Sequence, residues 1–298
     1  MKYSKLGKSD LSVSRIGIGC MSLKDNETEN KKIIGKALEM GVNFFDTADL
    51  YENGHNEIKI GRLLQSDRKR IILATKVGNQ MRADGKGWDW NPNKDYIIAA
   101  VEGSLKRLGT DYIDLYQLHG GTVNDPIDDT IAAFEILKEQ GKIRNYGISS
   151  IRPNVIREYT KRSAIVSVMM QYSLLDRRPE ETCFELLEKH QIAVLGRGSV
   201  AQGLLVGKTA KPYLGWSAGE VEKAARAVQA VSGDSATAAQ TALRYALHPA
   251  VMNIAVIGVS SLAQLEDSLQ AVELPALTAE ELTQLQETLP FKGYQEHR

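Results

Sequence analysis

Four side chains with acid–base chemistry stand at or just beyond the ends of strand-like apolar runs. Asp46 ends the run that starts at Asn43, and Tyr51 follows it five positions later. Lys76 ends a second run, and His119 directly follows a third. Parallel strands that alternate with helices place their carboxyl ends on one face of the fold. We therefore expect these four side chains to converge.

This set of residues is suited to donating a proton to a carbonyl oxygen. A tyrosine has an unperturbed pKa of about 10, and a neighbouring cation lowers that pKa by favouring the phenolate. Lys76 is the candidate cation, Asp46 keeps it charged and in place, and His119 donates to the substrate oxygen. Taken singly, each residue more often has an ordinary structural role, so the prediction depends on their convergence. A Schiff-base lyase with Lys76 as nucleophile is an alternative, against which Asp46 argues because it would hold the amine protonated.

Eight strand-like segments alternate with helix-like segments along the chain. The strands begin near residues 16, 43, 71, 113, 143, 166, 192 and 254. Eight β-then-α units favour a closed (β/α)8 barrel, the TIM barrel, over an open doubly wound sheet. No G-x-G-x-x-G fingerprint follows any strand, which leaves a Rossmann domain without support. We predict a single α/β barrel domain over residues 1–298.

The start of the chain and two connections depart from the repeating units. Residues 1–15 alternate apolar and polar positions around a turn, which predicts a β-hairpin that caps the bottom of the barrel, away from any site. The stretch Val77–Asn93 is typical of a long polar and aromatic loop, and residues 197–218 interrupt the alternation. Extra C-terminal helices follow, and the last, Thr278–Leu289, begins with a Thr-x-x-Glu capping box.

Composition and charge narrow the classes of function. The 298 residues include 37 basic and 37 acidic side chains, for a formal net charge of 0. A nucleic-acid binder shows a basic excess or stripe, so no nucleic-acid partner is expected. The two cysteines have no metal-ligand spacing, and no apolar run is long enough for a signal peptide or a membrane span. We expect a cytoplasmic protein with reduced thiols, no metal site, no membrane partner and, by default, a monomeric state.

A series of motifs resembles, in order and spacing, that of the aldo-keto reductase family. The motifs are Gly17–Met21, Phe45–Tyr51, Ala74–Lys76, Asp111–His119, Gly147–Ser150, Gln171–Leu175 and Gln202–Leu205. The resemblance covers essentially the whole chain, and bacterial members similar to the potassium-channel β-subunit group match it best. It implies hydride transfer from a nicotinamide cofactor, usually NADPH, to an aldehyde or ketone. It also implies that Tyr51 is the general acid, that Lys76 and Asp46 tune it, and that His119 orients the carbonyl.

The resemblance further implies which residues bind the cofactor. Ser149, Ser150 and Gln171 would hold the nicotinamide carboxamide. Family members commonly have Asn at the position of Ser150, and an aromatic residue that stacks on the nicotinamide at the position of Arg197. A guanidinium either stacks on such a ring as well or reaches the pyrophosphate. The other predicted cofactor-binding residues are Gly19, Cys20, Met21, Asp46, Gly198, Ser199, Ala201, Gly203, Leu205, Lys208, Gly258, Ser260, Gln264, Asp267 and Ser268.

The last strand and helix bear on the choice between NADPH and NADH. Ser260, Gln264 and the amides at the helix start are able to bind the adenosine 2′-phosphate without a basic side chain, and an ordinary capped helix is the alternative. NADPH is therefore the predicted cofactor. NADH is not excluded, because Asp267 places an acid near this position. The segment Gly203–Gly219, with Lys208, either folds over the pyrophosphate or is an exposed loop.

A small-molecule carbonyl substrate is predicted to lie above Tyr51. Met21, Trp88, Trp90 and His119 would line an apolar pocket with it, and the alternative is that the two tryptophans anchor their loop on the barrel. A cofactor-sensing regulatory subunit with slow or no turnover is the alternative function, since channel β-subunits can keep the same four polar residues.

Overall fold

Alternating apolar strands and amphipathic helices close into a barrel, described by a computed structural model of residues 1–298. The strands are β1 (Tyr3–Lys5), β2 (Ser12–Ser14), β3 (Ile16–Gly19), β4 (Phe44–Asp46), β5 (Ile72–Val77), β6 (Asn79–Met81), β7 (Trp88–Trp90), β8 (Ile113–Leu118), β9 (Ile143–Ser149), β10 (Ser167–Gln171), β11 (Ala193–Arg197) and β12 (Met252–Ile257). Eight of them form a parallel barrel in the order β3, β4, β5, β8, β9, β10, β11, β12, and β12 pairs back to β3. The predicted (β/α)8 fold is confirmed.

Ten α-helices pack around the barrel and at its ends. They are α1 (Glu27–Glu39), α2 (His55–Leu64), α3 (Lys94–Leu108), α4 (Ile127–Glu139), α5 (Pro153–Arg162), α6 (Cys183–Lys189), α7 (Ala218–Ser232), α8 (Ala238–Ala246), α9 (Leu262–Gln270) and α10 (Ala279–Gln286). The predicted capping box is present, because Thr278 and Glu281 exchange side-chain to backbone hydrogen bonds at the start of α10. No helix is long and apolar enough to cross a lipid bilayer.

The interior of the barrel is filled by apolar side chains and closed at the bottom by the N-terminal hairpin. Strands β1 and β2 pair antiparallel, as predicted. Leu6 and Val13 from this hairpin are fully buried against Phe44, Leu195 and other inward-facing residues. Because this layer occupies the amino-terminal side of the strands, the opposite end remains for the polar strand-end residues.

The connection after β5 differs from the loop that its composition predicts. Residues 79–90 contain a second antiparallel hairpin, β6–β7, with Asn79 opposite Trp90 and Met81 opposite Trp88. Gly78, with φ of 123°, turns the chain out of the barrel strand into this hairpin. Its strands are three residues long and lack an alternating apolar pattern, so no periodicity predicts them.

Candidate active site

Three of the four predicted acid–base residues meet at the carboxyl ends of neighbouring strands. Asp46 is the last residue of β4, and Lys76 lies near the end of β5. The Lys76 ammonium donates to Asp46 Oδ2 at 2.6 Å and to the Thr47 carbonyl at 2.8 Å. It also lies 3.4 Å from the Tyr51 phenol oxygen. A buried ion pair therefore stands directly against a phenol.

Burial and the neighbouring charges shift the pKa values of these three groups in opposite directions. Burial would lower the pKa of Lys76, but the neighbouring Asp46 and Tyr51 reverse the effect and raise it, so the amine stays protonated. Burial raises the pKa of Asp46, and Lys76 opposes that rise. For Tyr51, burial raises the pKa and outweighs the lowering by Lys76. The sequence-based expectation of a lowered Tyr51 pKa is therefore wrong, although the contribution of Lys76 has the expected sign.

His119 follows β8 and stands beside the tyrosine. Its ring lies edge-on to the Tyr51 ring, with centroids 6.0 Å apart, and its backbone N–H donates to the Val77 carbonyl. Burial, Lys76 and Arg197 lower the His119 pKa to about 3, so the imidazole is neutral at physiological pH. Its Nδ1 is buried without a partner. A neutral ring offers one N–H donor, which suits a carbonyl oxygen.

The segment that carries Tyr51 has an unusual backbone. Glu52 and Asn53 have φ of 51° and 55°, and Gly54 has 86°, so three successive residues are left-handed. Such conformations are costly for residues with a Cβ and persist only where neighbouring contacts enforce them. Lys59 supplies one such contact, since its ammonium lies 3.0 Å from the Glu52 carboxylate. The turn thereby directs the phenol toward Lys76.

A buried network of polar side chains connects the same strand ends to helices α2 and α3. Thr47 donates to Asn56 at 2.7 Å, and Asn56 donates to the Cys20 carbonyl at 3.1 Å, which ties the ends of β3 and β4 to α2. The fully buried Glu57 accepts from Thr75 at 2.7 Å and from the Arg107 guanidinium at 2.6 Å. Each of these groups is paired, as buried polar groups must be for stability.

The residues predicted to hold the nicotinamide carboxamide lie at the ends of β9 and β10. Ser149 ends β9 and is partly exposed, whereas the buried Ser150 hydroxyl accepts from the Arg152 N–H. Gln171 ends β10, and its amide contacts two side chains. Its Nε2 donates to the Tyr213 hydroxyl at 2.9 Å, and its Oε1 accepts from Arg197 at 3.2 Å. Arg197 ends β11 with an exposed side chain, so its cation lies beside Gln171.

The connection after β11 provides a cradle with a free polar group. Gly198 has φ of 74° and packs against the Gln171 side chain. The Ser199 hydroxyl is buried with no hydrogen-bond partner, which is the state expected of a group awaiting a ligand. The Lys208 stem lies over Gly203, where an added Cβ would approach it to 2.8 Å. These features fit a polar, anionic group of a dinucleotide.

The start of α9 is capped, and the cap is Ser261. The Ser261 hydroxyl accepts from the Gln264 N–H, while the Gln264 side chain accepts from both the N–H and the hydroxyl of Ser260. Asp267 lies further along α9 and accepts from Thr237 at 3.0 Å and from Gln240 at 2.8 Å.

Side chains at the start of α8 thus already bind the Asp267 carboxylate, and its contact with a cofactor stays a prediction. Ser268 follows it on the same helix, beyond the first turn. The residues at the helix start, Ser260 to Gln264, lie where a helix N-terminus attracts an anion.

Among the remaining predicted cofactor-binding residues, several have buried side chains, so only their backbone atoms are available to a ligand. Gly19 ends β3, and Cys20 directly follows the strand. The Cys20 thiol is fully buried, which raises its pKa and removes it from contact with a ligand. Ala201 and Leu205 are likewise buried in the core, so only their backbone is available. Gly258 follows β12, where an added Cβ would lie 3.0 Å from the Ser22 hydroxyl. No group of three or more His, Cys, Asp or Glu side chains is arranged to hold a metal ion.

The residues predicted to line the substrate pocket differ in their exposure and in their contacts. Met21 and Trp88 are 65% and 46% exposed, so both are free to contact a ligand. Trp90 donates to Asp125 at 3.0 Å, and its ring packs against Gly78 and Gly120. Trp90 is thus the anchor of the β6–β7 hairpin, beside the residue that follows His119.

A cavity of about 400 Å³ lies at the same end of the barrel but includes none of the four acid–base residues. Ile151, residues 174–178, residues 214–216 and the C-terminal segment line it. One contact links this cavity to the predicted cofactor residues, since Gln171 donates to Tyr213, which directly precedes the lining residues 214–216.

Two site residues, Gln117 and Tyr213, were not predicted from the sequence. Gln117 is fully buried and donates to Asp46 Oδ1 at 3.2 Å. It lies two positions before His119, so strand periodicity was the available signal for it. Tyr213 contacts Gln171 from a loop 42 residues further along the chain, and no local pattern marks that contact.

The family of the chain follows from comparison with known proteins. Residues 15–290 match the model of the Aldo/keto reductase family. The uncharacterized oxidoreductase YqkF of Bacillus subtilis (strain 168) is 49% identical over 311 residues, covering 100% of both chains. The NADH-specific methylglyoxal reductase of Escherichia coli (strain K12) is 31% identical over 234 residues, or 72% of each chain.

The solved structure of the aldo-keto reductase AKR11C1 from Bacillus halodurans has a TM-score of 0.94 and 50% identity, covering 100% of this chain and 99% of the other. The shared barrel and the family match over nearly the whole length show that this chain belongs to the aldo-keto reductase family, as an oxidoreductase that acts on carbonyl compounds with a nicotinamide cofactor.

Proposed function

We propose that the protein reduces aldehydes or ketones to alcohols with NADPH as its preferred cofactor and Tyr51 as general acid. The observation that carries this proposal is the contact of the Tyr51 phenol with the Lys76 ammonium, which is itself held by Asp46. Hydride addition to a carbonyl carbon leaves negative charge on the oxygen, and that charge requires a proton donor. A phenol backed by a fixed cation supplies the proton and stabilises the phenolate that remains.

His119 is assigned to orient the carbonyl. Its ring is neutral because its pKa is lowered to about 3, so it donates a hydrogen bond without delivering a proton of its own. The carbonyl oxygen would accept from His119 and Tyr51 together, which fixes it for protonation by the phenol. The phenolate that forms is then reprotonated from solvent, which completes the cycle for this residue.

The donor set of the site fits a nicotinamide dinucleotide. NADPH, when bound, supplies the hydride. Ser149, Ser150 and Gln171 are the groups we assign to its carboxamide, and the unpartnered Ser199 hydroxyl with Lys208 to its diphosphate. These assignments follow the family resemblance, and the hydrogen-bonding capacity of the side chains and their positions at or near the strand ends support them.

A preference for NADPH over NADH is supported by the start of α9. Ser260, Ser261 and the free amides of the first turn favour an additional phosphate, since a helix N-terminus attracts anions. Asp267 is an acid further along α9, and its carboxylate is directed toward donors at the start of α8 rather than toward the first turn of α9. The NADH-specific relative shows that the family also includes the other choice.

For the substrate, we propose an apolar or aromatic aldehyde or ketone that contacts Met21 and Trp88 in front of Tyr51. Both side chains are exposed. We further propose that residues 1–298 act as one domain, as a monomer and in the cytoplasm. Cys20 and Cys183 support the last assignment, because both are unpaired thiols.

The test is a fluorescence titration with NADPH and, separately, NADH, followed by addition of a reactive aromatic aldehyde. We expect tighter binding of NADPH and consumption of the bound cofactor. Tyr51→Phe should still bind NADPH but lose turnover by a factor on the order of 10² or more. Tyr96→Phe is the matched control, since this tyrosine lies on α3 and contacts none of the four residues.

Binding of NADPH without turnover by the wild-type protein would refute the enzymatic role and favour cofactor sensing. Turnover that persists in Tyr51→Phe would refute the assignment of the general acid. Absence of binding to either nucleotide would refute the whole proposal.

A further inference from the structure

Gln117 is a polar side chain in the barrel interior, where apolar side chains are usual. It lies on β8 with its Cα opposite Lys76 on β5 and Gly147 on β9, and it is fully buried. Its neighbours on the strand, Tyr116 and Leu118, are also fully buried. An amide at such a position must be desolvated on folding.

The hydrogen bonds of Gln117 are incomplete in a way that does not favour stability. Its Nε2 donates to Asp46 Oδ1 at 3.2 Å, whereas its Oε1 is buried without a partner. A buried polar atom without a partner carries an uncompensated desolvation cost. A methionine would fill similar space without that cost, so folding stability alone does not explain the amide.

The contact with Asp46 does explain it. Asp46 has two carboxylate oxygens, and the structure gives each a different donor: Lys76 binds Oδ2 at 2.6 Å, and Gln117 binds Oδ1. Two donors on opposite oxygens fix the rotation of the carboxylate about its last bond. The amide orientation is itself determined, since the reverse orientation would turn its oxygen toward the carboxylate.

We propose that Gln117 is a positioning residue, which keeps Asp46 ionised and turned toward Lys76 and so keeps the ammonium in contact with Tyr51. This inference rests on the proposed function for its catalytic consequence, while its effect on Asp46 is independent of any reaction. No part of Gln117 contacts Tyr51, so it acts through Asp46 and Lys76 alone.

Several charged and titratable groups surround Asp46, and the effect of Gln117 must be separated from theirs. Burial raises the pKa of Asp46, and Lys76 on β5, the amide of Gln117 and Arg197 on β11 oppose that rise. Tyr51 and the Cys20 thiol are the other titratable groups that interact with Asp46. Removal of the amide leaves all of these charges in place, so the Asp46 pKa should rise further and the carboxylate should protonate at higher pH.

The experiment compares Gln117→Met with the wild type and with Tyr116→Phe. The control removes a buried polar atom from the neighbouring position of the same strand, where the hydroxyl also has no hydrogen-bond partner. Aspartate is labelled with carbon-13 at the side-chain carboxyl, and the Asp46 resonance is identified by its loss in Asp46→Asn. Its titration midpoint is then measured in each protein, together with the pH profile of kcat/KM.

We expect the Asp46 midpoint to rise by about one pH unit in Gln117→Met and to stay unchanged in Tyr116→Phe. The acid limb of kcat/KM should move upward by a similar amount, so that the rate falls on the order of tenfold at pH values below the new midpoint. Relative to the wild type, Gln117→Met should lose stability as pH rises, because the ionised Asp46 carboxylate has lost a donor, and removal of the unpartnered amide oxygen offsets part of this loss.

An unchanged Asp46 midpoint in a folded Gln117→Met protein would overturn the proposal, as would an equal shift in Tyr116→Phe. A shifted midpoint in a protein whose wild type does not reduce carbonyls would uphold the role of Gln117 at Asp46 and refute the proposed function instead. The two proposals are therefore separable.

Discussion

Replacement of Lys76 by methionine tests whether the Lys76 ammonium stabilises the Tyr51 phenolate during proton donation. Methionine matches the length of the lysine stem but removes an ammonium that contacts Asp46, the Thr47 carbonyl and Tyr51. The phenol then loses the cation that stabilises its anion, while the burial that raises its pKa stays. We expect kcat to fall by a factor on the order of 10² or more, the usual contribution of a positioned general acid.

The same substitution also has a cost in stability, which can be separated from the catalytic effect. Asp46 would remain buried without its counter-ion, and breaking a buried pair in this way costs about 3–5 kcal/mol. Protonation of Asp46 relieves part of this cost, because its pKa rises further when the ammonium is absent. The stability difference from wild type should therefore be smaller at about pH 5 than at about pH 8. The double variant Lys76→Met with Asp46→Asn should recover stability without recovering turnover.

The assay measures single-turnover oxidation of bound NADPH by an aromatic aldehyde, with cofactor binding followed by fluorescence in the same samples. The expected result is a cofactor affinity near that of the wild type and a hydride-transfer step slowed at least a hundredfold. Near-normal turnover in a folded Lys76→Met protein would refute the role of Lys76. Loss of turnover caused only by loss of cofactor binding would refute the reasoning as well, because no cofactor contact is assigned to this side chain.

The remaining predictions concern packing and pH. Gly61→Ala in α2 would place a Cβ 2.4 Å from the Leu108 carbonyl oxygen, so we expect the free energy of unfolding to fall by about 1–3 kcal/mol. Gly35→Ala in α1 meets nothing within 4 Å and should raise it by about 0.5–1 kcal/mol. Denaturant titration measures both, and equal stabilities of the two variants would contradict the packing described. Burial and the neighbouring Glu57 raise the pKa of Asp49 to about 7, so the folded state retains a proton that the unfolded state releases near pH 4, and stability should fall as pH rises between these values. Asp49→Asn should flatten that fall in Tm measured at about pH 5 and 8, and an unchanged slope would show that another group causes it.

The fold was predictable because each βα unit has its own signals. The apolar strands are short and bounded, and glycines such as Gly109, with φ of 63°, end the helices where the apolar periodicity stops. The convergence of Asp46, Lys76 and His119 followed from the barrel geometry rather than from any one motif. The β6–β7 hairpin was not predictable, because its strands are too short and too polar to show a period of two.

The details of the site depended on contacts that no local pattern encodes. The Asp267 carboxylate accepts from Thr237 and Gln240 at the start of another helix, and no residue pattern near Asp267 indicates those contacts. Trp90 is an aromatic residue in a loop, and only the contact with Asp125 shows that it is an anchor. The direction of the Tyr51 pKa shift depends on the depth of burial, which the identity of its neighbours does not give.

The raised pKa of Tyr51 changes how the role of Lys76 is understood. A lowered pKa would make the free phenol a stronger acid before any substrate arrives, whereas here burial keeps the phenol protonated at rest. The ammonium 3.4 Å away gains its largest interaction only when negative charge develops on the phenol oxygen. Catalysis depends on interactions that are stronger in the transition state than in the ground state, and this arrangement meets that condition. With His119 neutral and Tyr51 protonated at rest, neither residue titrates near neutral pH, so the acid limb of activity should follow the Asp46–Lys76 pair that Gln117 helps to hold.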